Sequence, residues 1–136
     1  VNLNRINHIG IAVSDLNKAV KIFRELFGAE PEFEMLEDRG LKVAVFHLEN
    51  VRVELTSPIK TGTALDNFLR KRGDGIHHLA FETTNIKDTL KKFKEMGYEI
   101  IDGPKEGAGG YTVAFLNPRQ TGKVLIEVVE KKEDRS

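Results

Sequence analysis

Two stretches of the chain carry the same alternation of apolar and polar positions into the same kind of helix. Asn7–Val13 (NHIGIAV) and His77–Thr83 (HHLAFET) are β-prone runs, each with a histidine in second place. After each comes a short polar stretch and then apolar residues at helical spacing. These are Leu16, Ala19, Val20, Phe23, Leu26 and Phe27 in the first half and Ile86, Leu90, Phe93 and Met96 in the second. The spacing predicts helices over 16–27 and 86–96. Ser14 or Asp15 can cap the first helix and Gly28 can end it, with Thr84 or Asn85 and Gly97 in the matching places of the second. Strand patterns follow at 32–36, 41–48 and 51–56, and again at 98–101, 111–116 and 123–129. Between them lie turn residues such as Asp38-Arg39-Gly40, Gly107-Ala108-Gly109-Gly110 and Asn117-Pro118. The chain therefore reads twice, as β-α-β-β-β modules over 5–57 and 76–130, joined by a linker over 58–75 that holds a short helix at 64–71. One module of about 60 residues has a marginal core by itself. The expected fold is α+β, a single domain over 1–136 in which the two modules pair to form a curved mixed sheet around a shared site.

Strand parity points to the contents of that site. Alternate residues of a strand face opposite sides. Ile9, Ile11 and Val13 form the face for the helix, which leaves His8, Gly10 and Ala12 on the other; Leu79 and Phe81 likewise oppose His78, Ala80 and Glu82. Parity thus selects His78 over its neighbour His77. In the last strand of each module a glutamate interrupts an apolar run. Val51, Val53 and Leu55 alternate with Arg52, Glu54 and Thr56, and Val124, Ile126 and Val128 alternate with Leu125, Glu127 and Val129. The histidines are 70 positions apart and the glutamates 73. A lone strand histidine is ordinarily a hydrogen-bonding residue and a lone strand glutamate a solvated one. Recurrence at the same place in both modules, beside small residues, predicts instead a divalent-metal site made by His8, Glu54, His78 and Glu127. His47 has no repeat partner and His77 has the wrong parity, so both are expected to be structural or solvated. Imidazole and carboxylate ligands without sulfur suit Mn, Co, Ni, Fe or Zn. Four protein ligands on an octahedral ion leave two adjacent positions for a chelating substrate. That count favours Lewis-acid chemistry over an iron oxygenase, which typically takes two histidines and one carboxylate.

Composition narrows the function classes. Lys and Arg total 21 and Asp and Glu total 21, a balance that argues against coating nucleic acid or a membrane surface. No apolar run approaches the roughly 18 residues of a membrane span, and the opening residues lack the apolar core of a secretory signal. There is no cysteine, which excludes disulfides, thiolate metal sites, iron–sulfur clusters and cysteine nucleophiles. A cytoplasmic protein without redox chemistry is expected.

Particular motifs carry a resemblance. They are His8-Ile-Gly-Ile-Ala-Val-Ser-Asp-Leu16, Val53-Glu-Leu-Thr-Ser-Pro58, Gly75-Ile-His-His-Leu-Ala-Phe81, Gly107-Ala-Gly-Gly110, Val113-Ala-Phe-Leu-Asn-Pro118 and Thr121-Gly-Lys-Val-Leu-Ile-Glu-Val128. Together they resemble the vicinal oxygen chelate superfamily (glyoxalase, bleomycin resistance, dioxygenase) and, within it, the methylmalonyl-CoA epimerase family. The resemblance implies metal ligands at His8, Glu54, His78 and Glu127, the set that parity selects. It also implies an isomerase that interconverts (R)- and (S)-methylmalonyl-CoA by α-proton abstraction and reprotonation through a metal-stabilised enolate. Glu127 would be the catalytic proton carrier, with Glu54 as a second candidate. Gly109 and Gly110 would approach the substrate; Lys42, Lys105, Arg119 and Lys123 could meet the phosphates of coenzyme A, although each taken singly reads first as a solvated surface residue. One divalent ion per chain is implied, Co2+ or Mn2+ first and Ni2+, Mg2+ or Zn2+ as alternatives. The expected partners are an acyl-CoA and a second copy of the chain in a homodimer, with no nucleic acid and no membrane. One position departs from the family: some members carry a glutamate three residues after the glycine of the third strand, where this chain has Val43 after Gly40. The alternatives are a glyoxalase-type isomerase (lactoylglutathione lyase) or a drug-sequestering binding protein of the same fold. Such binders have no need of four metal ligands.

Overall fold

The computed structural model describes residues 3–131. They fall into two compact units, His8–His77 in one and the residues before His8 together with those from His78 onward in the other. The His8–His77 unit takes β1 (Ile6–Ala12) from His8 on, then α1 (Leu16–Phe27), β2 (Glu32–Leu36), β3 (Leu41–His47), β4 (Arg52–Pro58) and α2 (Ala64–Arg72). Its strands lie in the order β2-β3-β4-β1, antiparallel except for the parallel pair β4 and β1. Local chemistry sets the bounds of α1. The Asp15 carboxylate accepts from the Lys18 N–H at one end, and Gly28, at φ 61°, donates its N–H to the Arg24 carbonyl at the other. The buried stripe Leu16, Ala19 and Val20 packs against Val13, Ala44, Phe46, Val53 and Leu55.

Phe46 is fully buried at the centre of this cluster, with the Phe27 ring edge-on at 5.4 Å and the Phe23 ring at 6.4 Å. Phe46→Ala should lower stability by about 3–5 kcal/mol, the usual cost of truncating a buried phenylalanine. Urea titration would show this as a lower midpoint at nearly unchanged slope.

The second unit holds β5 (Gly75–Glu82) from His78 on, then α3 (Ile86–Glu95), β6 (Ile100–Glu106), β7 (Thr112–Leu116) and β8 (Ile126–Glu130), in the order β5-β8-β7-β6. β5 and β8 are parallel, the other pairs antiparallel. Asn85 caps α3 by accepting from the Asp88 N–H, and Ile86 and Leu90 pack on Ala114 and Val128. The N-terminal segment binds to this unit, with the Glu82 N–H donating to the Arg5 carbonyl at 3.0 Å and Asn7 Nδ2 to Glu82 Oε1 at 2.9 Å. Both units are thus α+β and each follows the β-α-β-β-β order. Among the described residues no helix is long and apolar enough to cross a membrane.

The second half departs from the sequence pattern in two strands. β6 covers Ile100–Glu106 rather than the expected 98–101, and runs on through Gly103-Pro104. It is the outermost strand of its unit, bonded to β7, where a proline without an N–H is tolerated. Register shifts on either side of Asp102 absorb the irregularity. Gly103 stands at φ 85°, and a Cβ there would lie 2.4 Å from the Val113 carbonyl oxygen, so only glycine fits. β8 begins at Ile126 rather than at Lys123, because a turn consumes the residues before it. Within that turn the Thr121 hydroxyl donates to the Val124 carbonyl at 2.7 Å, and the Lys123 N–H donates to the Pro118 carbonyl at 2.8 Å.

Candidate metal centre

Both units place a histidine diagonally across from a glutamate on one face of their sheet. In the first, the β1–β4 register sets Gly10 opposite Glu54 and His8 two positions earlier. The smallest residue therefore faces the carboxylate, and His8 Nδ1 reaches Glu54 Oε2 at 3.2 Å. In the second, Ala80 is opposite Glu127, and His78 Nε2 lies 3.0 Å from Glu127 Oε1. The two arrangements correspond residue for residue: Gly10 with Ala80, His8 with His78, Glu54 with Glu127.

These groups are held out of water. Glu54 is 5% exposed, Glu127 4% and His8 4%, and the His78 side chain is 10% exposed. Carboxylates are rarely buried so far unless paired or bound to metal, since desolvating a charge is costly. A neutral imidazole and a carboxylate are the donor types of divalent-metal sites, and each unit supplies one of each. Around His78 the enclosure is aromatic: the Phe115 ring, from the residue opposite Glu127 on β7, meets the imidazole in a T-shaped contact at 5.8 Å.

The other histidines are elsewhere. His47 has a side chain 52% exposed and pairs with Glu32 at 3.5 Å. His77 meets the Phe68 ring of α2 edge-on at 4.8 Å, on the opposite parity from His78. Gly109 and Gly110 lie in a one-turn 3-10 segment, Ala108–Gly110, both at positive φ. Gly107 anchors that loop: a Cβ there would lie 2.8 Å from Val113 Cγ1. Of the basic residues, Lys105 pairs with Asp102 at 2.5 Å, and Lys42 sits in register between Met35 and Ser57.

Sequence reasoning left Arg52 without a role. In the structure its guanidinium donates to Glu54 Oε2, the same oxygen that lies beside His8 Nδ1, and its side chain is 14% exposed. A signal was available, because Arg52 breaks the internal repeat. The matching residue two places before Glu127 is Leu125.

Comparison with known proteins places the chain in a class. Residues 7–115 match the model of the Glyoxalase/Bleomycin resistance protein/Dioxygenase superfamily. The ethylmalonyl-CoA/methylmalonyl-CoA epimerase of Cereibacter sphaeroides is 36% identical over 132 residues, spanning 93% of this chain and 97% of that protein. A variant of the Streptomyces coelicolor methylmalonyl-CoA epimerase, solved in complex with 2-nitronate-propionyl-CoA, superposes at a TM-score of 0.92 with 30% identity over 99% of each chain. A methylmalonyl-CoA epimerase in complex with methylmalonyl-CoA and NH4+ superposes at 0.91 with 30% identity over 96% of each. Within the superfamily the chain belongs to the methylmalonyl-CoA epimerase family, a family of isomerases.

Proposed function

We propose that this protein interconverts the (R) and (S) epimers of methylmalonyl-CoA, with one divalent ion held by His8, Glu54, His78 and Glu127. The observation that carries the reading is the buried His–Glu pair present in both units, in a chain that belongs to this family. The donor chemistry fits: two imidazoles and two carboxylates suit Co2+ or Mn2+ first, then Ni2+, Mg2+ or Zn2+. Each unit contributes one largely buried His–Glu pair to the proposed set, His8 with Glu54 and His78 with Glu127. When bound, the ion would supply electrophilic stabilisation of the negative charge that builds on the thioester oxygen as the α-proton leaves. The protein's own contribution is to hold these groups in paired strands, exclude water and move the proton. Glu127 is the proposed proton carrier, since its buried carboxylate is paired with an imidazole that fixes its orientation. Backbone N–H groups at Gly109 and Gly110 are the proposed contacts for the substrate carboxylate.

Val43 does not take part. It is 2% exposed and sits in register between Glu34 and Thr56, so the position where some relatives carry a glutamate offers no proton here. Glu54 is the remaining candidate for the opposite face.

The reading includes a cytoplasmic location and one domain made of the two modules. It also includes a homodimer in which each subunit owns a whole site. Phe33 and Met35, 60% and 54% exposed on the edge strand β2, support assembly. Mixing His8→Ala chains with Glu127→Ala chains should restore no activity; recovery in the mixed dimer would mean that the site is shared between chains. The function itself is tested with one epimer of methylmalonyl-CoA. Metal-loaded protein should bring it to an equal mixture, read by chiral chromatography, and chelator-treated protein should not. Retention of the single epimer by metal-loaded protein would refute the assignment.

A further inference from the structure

We infer that Arg52 is a charge-compensating positioning residue, which holds Glu54 and keeps the metal centre net positive so that it favours an acyl thioester with a free carboxylate. The inference rests on the metal reading above. Its starting point is the break in the repeat. His8, Gly10 and Glu54 have counterparts in His78, Ala80 and Glu127, but Arg52 is matched by Leu125. Leu125 packs into the apolar cluster of Ala80, Val113, Phe115 and Val129, so this place in the fold does not require a cation. Arg52 instead sets its guanidinium on Glu54 Oε2 with most of its side chain buried. A buried cation bound to one of two buried carboxylates is a matter of charge balance.

The count is direct. Histidines bind metal as neutral imidazoles. A divalent ion with two carboxylate ligands is then neutral overall, and Arg52 brings the centre to a net charge of +1. A substrate that carries a carboxylate beside its thioester gains from that charge, and a plain acyl thioester does not. The same cation competes with the ion for Glu54, so it weakens metal binding while it strengthens recognition of an anionic substrate.

These opposite signs make the test. In calorimetric titration of Co2+ into chelator-treated protein, Arg52→Leu should bind Co2+ about 10-fold more tightly, the scale on which groups behind a metal ligand act. In turnover the same variant should raise KM for methylmalonyl-CoA by about 10-fold, with a smaller change in kcat. Glu54→Gln should bind Co2+ more weakly. The double variant Arg52→Leu/Glu54→Gln restores the parental charge and should return KM to within about 3-fold of the parent. Arg52→Lys, which keeps the charge, should leave both constants near the parent. A merely structural role for Arg52 predicts the reverse: weaker Co2+ and weaker substrate in Arg52→Leu, with no rescue by Glu54→Gln. That result would overturn the inference. Failure of the parent protein to bind Co2+ at all would overturn the metal reading instead, so the two failures are distinguishable.

Discussion

Glu127→Gln is expected to slow α-proton exchange by about 10²–10⁴-fold, the range for loss of a general base or acid, while part of the metal affinity survives. The amide keeps the shape and one oxygen donor of the side chain but loses the negative charge and the basicity. Glu127 is buried and lies 3.0 Å from His78 Nε2, so the substitution tests the proposed proton carrier in a side chain already held in place. Glu54→Gln should retain metal, although more weakly, and lose activity modestly if Glu54 acts as ligand alone; a loss as large as that of Glu127→Gln would make it the second proton carrier. Parallel measurements of Co2+ affinity and proton exchange on the two variants separate ligand from base. Equal, small losses in both would mean that neither glutamate carries the essential proton.

The second large effect concerns the histidines. His8→Ala or His78→Ala should each reduce divalent-metal occupancy to near zero and abolish turnover. Removal of a ligand exceeds the roughly 10–100-fold loss typical when only a group behind a ligand is changed. His47→Ala and His77→Ala should stay near the parent value, since one pairs with Glu32 on an exposed edge and the other packs on Phe68. Metal content by elemental analysis after gel filtration reads all four variants. Undiminished occupancy in both His8→Ala and His78→Ala would remove these residues from the metal site.

The contrast between α1 and β6 shows what the sequence makes legible. The bounds of α1 depend on groups within a few residues of each end, Asp15 and Gly28, and the apolar spacing already identifies the stripe that Ala44, Phe46, Val53 and Leu55 cover. β6 depends on a neighbour distant in sequence: pairing with β7 extends it through Gly103-Pro104, beyond the strand that the local pattern predicts over 98–101. The module repeat and the parity of His8, His78, Glu54 and Glu127 were legible because strand alternation is a local property and the pattern occurs twice. The contact between Arg52 and Glu54 was not. Parity puts both on one face, yet gives no reason for the guanidinium to bend back on the carboxylate rather than extend to water. That choice is set by burial, and its sign in the sequence is the mismatch with Leu125 beside the matched glutamates.

The most direct test of the central claim follows hydrogen at the reacting carbon. Metal-loaded protein is incubated with methylmalonyl-CoA in deuterated water, and the α-carbon is watched by proton NMR. Deuterium should enter that position and the α-proton signal should fade, with the rate lost on chelation and restored by Co2+ or Mn2+. An α-proton signal that persists undiminished in the presence of metal-loaded protein would contradict epimerisation by proton transfer at this site.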